Sequence, residues 1–229
     1  MTNSASVNIR SPFDEVFSVT SVNLQPRLEF IDFFNFVPAT QPIQDVDLIR
    51  QLSFIPGLKE ILMLRQVHAL EHATVWVLSK LDAQTTGTSN QDDNELLGGL
   101  STEQGFYLYG QVNKASLQRA VHLALQRLTS GEWDLAVHPR CGTNVSVGML
   151  LVAGLALGFH LLLPRSPIEQ LLGLGMAATT AAQLAPELGI LAQRYVTTAI
   201  PFNLAIEDIT VTRDVWGRSA HFVEVRWVD

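Results

Sequence analysis

Residues 145 to 163, Val145 through Leu163, read VSVGMLLVAGLALGFHLLL and contain no Asp, Glu, Lys or Arg. A run of about 20 apolar residues in helical conformation spans the roughly 30 Å of a bilayer's hydrocarbon core. A helix in a water-soluble protein keeps a polar face, and here only His160 interrupts the apolar surface. The stretch therefore predicts a transmembrane helix, the alternative being one of two buried helices in a soluble protein. After the short connection Pro164-Arg165-Ser166-Pro167 comes LLGLGMAATTAAQLAPELGILAQ, rich in Gly, Ala and Thr. Small residues of this kind let membrane helices approach closely, so this segment is expected to fold back as the second arm of a hairpin.

The composition agrees with that reading. Of 229 residues, 47% are hydrophobic and only 16% charged, with a mean hydropathy of +0.20, which is too apolar for an ordinary soluble protein. The length accommodates one or two domains. A formal net charge of −7 excludes binding to a phosphate backbone, which needs clustered Lys and Arg. One cysteine excludes an internal disulfide framework. The start, Met1-Thr2-Asn3-Ser4-Ala5-Ser6, lacks the basic-then-apolar pattern of a secretory signal. Arg119, Arg127 and Arg140 precede the apolar arms and Arg194, Arg213 and Arg218 follow them, against Arg165 alone in the connection. By the positive-inside rule both ends of the hairpin are expected on the cytoplasmic side.

Moving toward the N-terminus, Leu58 to Leu81 reads LKEILMLRQVHALEHATVWVLSKL, with no Pro or Gly and apolar residues almost all round. It predicts a buried helix. Its polar residues gather on one stripe, Arg65, His68, Glu71 and His72, because positions i, i+3 and i+4 share a face. Buried without partners such groups would cost several kcal/mol. Residues 1–56, rich in Phe and Pro, are expected to form a covering or interfacial segment, and the polar stretch Ala83 to Asn94 a surface loop. Gly105-Phe106-Tyr107-Leu108-Tyr109-Gly110 predicts a strand, Leu117, Ala120, Val121, Ala124, Leu125 and Leu128 a helical stripe, and the alternation Trp133, Leu135, Val137 a further strand. Ile206–Val211 and His221–Val228 predict a β-hairpin around Trp216-Gly217-Arg218. The fold class expected is α+β with a transmembrane helical hairpin, a buried motif helix and a small mixed sheet, divided at 1–56, 57–144, 145–198 and 199–229.

Two imidazoles and a carboxylate converging on one point suit a metal ion, and a second motif, His138-Pro139-Arg140-Cys141-Gly142-Thr143-Asn144, offers two more ligands of the types that bind zinc. His122 reads as a solvated surface histidine, His221 as structural, and His160 as a satisfied core residue or a lipid contact. Glu187, directly after Pro186, is an ionisable group at membrane depth or at the membrane surface where the helix ends.

His-x-x-Glu-His, then His-Pro-Arg-Cys-Gly-Thr-Asn running into a membrane hairpin, then Pro-Glu-Leu and a C-terminal strand region resembles an uncharacterised family of bacterial integral-membrane proteins predicted to be metal-dependent enzymes. A related uncharacterised family, found in photosynthetic bacteria among others, keeps the Gly-Phe-Tyr-Leu-Tyr-Gly strand. The resemblance covers roughly residues 57 to 229. It implies site positions at His68, Glu71, His72, His138 and Cys141, and more loosely at Glu187 and Arg194. It also implies a place in a bacterial inner membrane, or a thylakoid membrane in a photosynthetic source. The polar insertion after Leu81 and the long segment before the second motif depart from the more compact broader family.

Three chemical readings stay open. In the first, His68 and His72 bind Zn²⁺ or another divalent metal, His138 or Glu187 completes an open site, and Glu71 is the general base. The order His-x-x-Glu-His resembles the inverted zinc-peptidase motif, which implies hydrolysis of a peptide or other amide at the membrane surface. In the second, His68, His72, His138 and Cys141 close a structural four-ligand site in a membrane scaffold or assembly factor. In the third, Cys141 is a nucleophile activated by His138. The expected partners are membrane lipid, a protein or small-molecule substrate, and a second copy of the chain.

Overall fold

The computed structural model describes residues 54–86 and 97–228, together with Ile49, Gln51 and Leu52. The expected covering segment at 1–56 and positions 87–94 of the expected loop lie outside, or almost entirely outside, the described residues. Among the described residues the fold is α+β, with four α-helices and one four-stranded sheet.

Helix α1 spans Leu58–Thr86, starting after Gly57 at φ +82°, a left-handed conformation open to glycine. It runs through the core. Val67, Leu70, Ala73, Val77 and Leu78 are buried, and so are Gln66, Glu71, His72, Thr74 and Ser79. Strands β1 (Gly98–Thr102) and β2 (Gly105–Tyr109) form a tight hairpin. Helix α2, Lys114–Thr129, begins with the Asn113 side chain accepting from the Ala115 amide, a standard N-cap. It buries Leu117, Ala120, Val121, Ala124 and Leu128, the expected stripe. His122 stands on its exposed face, bonded only along its own helix to Gln118.

Strands β3 (Leu204–Arg213) and β4 (Ser219–Trp227) form the expected C-terminal hairpin, and β4 pairs with β2 to give the order β1-β2-β4-β3. The sheet is antiparallel throughout rather than mixed: β1–β2 and β3–β4 are hairpins, whose short turns allow only antiparallel pairing, and β2 and β4 join the two hairpins antiparallel as well. Phe106, Leu108, Val223 and Val225 face the core beneath α1.

The expected strand at Trp133–Val137 is instead a 3₁₀ turn, Trp133–Ala136. Its i→i+3 bonds, Leu135 N–H to the Glu132 carbonyl and Val137 N–H to that of Asp134, satisfy the backbone locally. The carbonyls of Ala136 and Val137 are thereby left to accept from His72 and Trp76 of α1, which a sheet ladder would have consumed.

Helices α3 (Gly142–Leu162) and α4 (Pro167–Ala192) form an antiparallel pair. Gly173, Ala177, Ala181 and Gly189 of α4 are buried against α3, and a Cβ on Gly173 would meet Phe159 and Leu163 while one on Gly148 would meet Ala185. The small residues thus set the close approach. Helix α4 opens with the Ser166 hydroxyl accepting from the Glu169 amide and donating to the Glu169 carboxylate, an N-cap. It continues through Pro186 rather than ending there, then widens into a π-helical turn, Gln193–Thr197. Among the described residues α3 is the one helix long and apolar enough to cross a membrane. It buries none of its residues within the chain, and Met149, Leu150, Leu157, Leu171 and Leu172 of the pair are exposed. His160 is satisfied at 2.7 Å by the Gln170 side chain of the opposite arm.

Candidate metal centre

Three elements meet over the middle of α1: the 3₁₀ turn with the motif that follows it, the π-helical turn after α4, and β1. His68 and His72 sit one turn apart with ring centroids 4.3 Å from each other. His68 Nδ1 lies 3.0 Å from the Thr197 carbonyl and His72 Nδ1 2.7 Å from the Ala136 carbonyl. A carbonyl can only accept, so each Nδ1 carries a proton and each Nε2 is the ring nitrogen left available as a metal ligand. Carbonyl partners of this kind orient metal-ligating histidines.

The third ligand is Cys141, the N-cap of α3. Its Sγ is 3.3 Å from His68 Nε2, and ligand atoms of His68, His72 and Cys141 all lie within 4.8 Å of one another. With bonds of about 2.0–2.3 Å, tetrahedral zinc would place its ligands roughly 3.5 Å apart, so the N₂S donor set fits such an ion. Burial pushes the Cys141 thiol up, but the hydrogen bond and charge of His72, with bonds from Thr143, bring it below the ordinary thiol range. That favours the thiolate, the form that binds metal.

Glu71 faces the same cavity, which encloses about 640 Å³. Burial pushes its carboxyl above the usual carboxylate range, partly offset by the Ser101 hydroxyl and the charge of His68. Ser101 Oγ donates to Glu71 Oε2. A Cβ on Gly99 would come within 2.1 Å of Glu71 Oε1, so β1 both holds the carboxylate and leaves it room.

His138 stands beside this group. Its ring is 5.7 Å from that of His72 and 4.9 Å from that of Trp76, and its Nδ1 accepts from the Arg140 amide at 3.3 Å. The backbone of the motif is pinned by Gln193, which accepts the His138 N–H at 2.8 Å and donates to Asn144 at 2.7 Å. Asn144 donates in turn to the Pro139 carbonyl. Glu187 is exposed on α4, and Arg194 pairs with Asp134 at 3.0 Å on the surface. The π-helical turn aims Val196 and Thr197 at the cavity instead. Ser101, Gly99 and Gln193 carry no motif signature of their own. Asn144, inside the second motif, is the one supporting residue whose position pointed to the site.

The comparisons with known proteins bear on this arrangement. Residues 63–209, which include both His motifs, match the family described as Domain of unknown function (DUF6391). The chain belongs to that family. An uncharacterized protein of Picosynechococcus sp. (strain ATCC 27264 / PCC 7002 / PR-6) is 56% identical over 189 residues, covering 82% of this chain and 92% of the relative. No solved structure matches the chain.

Proposed function

We propose that this member of the family is a membrane-anchored, metal-dependent hydrolase working at the cytoplasmic face, with Zn²⁺ as the metal. One observation carries the reading: among the described residues, ligand atoms of three side chains converge beside a buried carboxylate in an open cavity. Three protein ligands with a vacant position are typical of catalytic zinc, four of structural zinc.

His68, His72 and Cys141 are the residues that would hold the ion. When bound there, the metal supplies Lewis-acid polarisation of a carbonyl and a lowered pKa for water. Glu71 takes the proton of the attacking water and returns it to the leaving group, and Ser101 fixes which carboxylate oxygen is free to do so. The exposed apolar surface of α3 and α4 supports insertion of the helix pair, with α1 and the sheet on the arginine-rich side.

A second reading, a non-catalytic scaffold with a structural metal, draws on the way Cys141 and the two histidines tie α3 to α1. Elemental mass spectrometry on detergent-purified protein tests both. Near-stoichiometric zinc is expected in the wild type and its loss in His68→Ala/His72→Ala and in Cys141→Ser, where serine keeps the N-cap. Glu71→Gln is expected to retain zinc and lose about 10²–10⁴-fold in turnover of amide and ester substrates. Zinc with no Glu71-dependent turnover supports the scaffold. Absence of metal from folded wild type after reconstitution with zinc defeats both.

A further inference from the structure

The cavity at the metal centre is graded in polarity. Its lining follows α1 from Ile61 to Val75, about 21 Å at 1.5 Å per residue, and its volume of about 640 Å³ suits a sizeable organic ligand. His68, Glu71 and His72 occupy the middle. Val75 and Leu97, farther in, are buried, whereas Ile61, Leu64 and Val196 at the mouth are 58%, 40% and 65% exposed. A water-borne polar substrate would leave that apolar rim wet.

The rim also has a place in the fold. Thr143 opens α3, and Val196 and Thr197 follow α4, so the open end of the helix pair forms part of the cavity wall. From there the exposed apolar surface continues along both arms through Met149, Leu150, Leu171 and Leu172. If a bilayer covers the arms, the mouth opens where the acyl chains begin. Arg65 stands there too, its Nη2 bonded to the carbonyls of Tyr195 and Thr198 and its buried Nε without a hydrogen-bond partner.

We infer that the cavity takes one long acyl chain of a bilayer lipid, admitted through the Ile61, Leu64 and Val196 mouth, with its ester group at the His68, Glu71 and His72 centre. The chemistry rests on the hydrolase reading; the binding does not. Glu71 takes one proton of the water whose oxygen joins the carbonyl carbon, the acyl C–O bond breaks, the released alcohol takes that proton from Glu71, and the fatty acid gives the second proton to bulk water and leaves as its carboxylate.

The experiment uses the full chain, zinc-reconstituted, in phosphatidylcholine vesicles containing phosphatidylcholine with a photoactivatable diazirine in its sn-2 chain. After irradiation the labelled residues are located by peptide mass spectrometry. Label is expected on Val75 and Leu97, which are buried and which a lipid reaches only by entering the slot. It should fall at least tenfold in Leu64→Glu, an exposed position, and in Leu100→Trp, which fills the slot from β1, while labelling of α3 and α4 is unchanged. Wild-type label confined to the mouth and the two arms, or slot label indifferent to both substitutions in protein that retains its zinc, overturns the inference. Slot label without Glu71-dependent release of fatty acid retains the lipid site and defeats the hydrolase reading alone.

Discussion

Glu71 is held where its charged form is disfavoured: it is 8% exposed, and burial raises its carboxyl above the usual range. A carboxyl with a raised folded-state pKa binds more protons folded than unfolded, so stability falls as pH rises past the unfolded value and recovers as the group protonates. Metal-free Glu71→Gln keeps the shape and removes the titration. Its thermal midpoint is expected to exceed that of metal-free wild type at pH 8, with the difference shrinking steadily toward pH 4.5 in a series of melts. The neighbouring Gly99 makes a steric prediction. Gly99→Ala would bring a methyl to within 2.1 Å of Glu71 Oε1, a cost of about 1–3 kcal/mol for overpacking. Most of that penalty should vanish when Glu71→Ala is added, which a double-mutant cycle in urea measures.

At the level of elements, α3 and α4 meet tightly at Gly189 beside the metal centre and at Gly173 near the far end of the pair, and are open at Gly154. A Cβ on Gly189 would come within 2.2 Å of Asn144 Oδ1, and Asn144 holds both Gln193 and the Pro139 carbonyl. Gly189→Ala is therefore expected to cost about 1–3 kcal/mol and to weaken zinc retention by shifting Cys141. Gly154, also within the helix pair, has nothing within 4 Å of its Cβ position. Gly154→Ala should be neutral or stabilise by about 0.5–1 kcal/mol through helix propensity. Thermal unfolding and zinc content of the two variants, measured side by side, check the contrast. The tying of a helix start to a buried helix was legible in part: Thr143 and Asn144 stand in one motif, but their partners Thr197 and Gln193 come from a turn some fifty residues later, whose wider winding no local pattern announces.

For the whole molecule, the proposal of membrane insertion concerns one end of the fold. Exposed large apolar residues recur along both arms, Met149, Leu150, Leu157, Leu161 and Leu162 on α3 and Leu171, Leu172, Leu174 and Met176 on α4. Arg165 sits in the connection between the two arms, and the one native cysteine, Cys141, is buried. Arg165→Cys therefore gives a single accessible thiol. It is expected to react with a membrane-impermeant maleimide from the non-cytoplasmic side alone, compared in right-side-out and inverted vesicles. Equal reaction from both sides, or recovery of the protein from the soluble fraction, would count against insertion of the pair.

The sequence by itself determined the elements whose signal is local. Residues 58 onward lack helix breakers, the α2 stripe repeats at helical spacing, the Gly-Phe-Tyr-Leu-Tyr strand alternates, and Ser166 with Pro167 marks a helix start. It also brought His68, Glu71 and His72 to one face, because a helix fixes the geometry of residues three and four apart. Tertiary structure alone decided the rest. Trp133–Ala136 alternates like a strand, yet turns because its carbonyls are needed by His72 and Trp76. Of the ligands the two motifs offered, Cys141 groups with His68 and His72 because α3 starts at the cavity, whereas Glu187 is exposed on α4. Ser101 and Gly99 reach Glu71 because β1 crosses α1. Spacing encodes contacts along one element; contacts between elements depend on how the chain packs, and the identities of the residues involved do not carry that information.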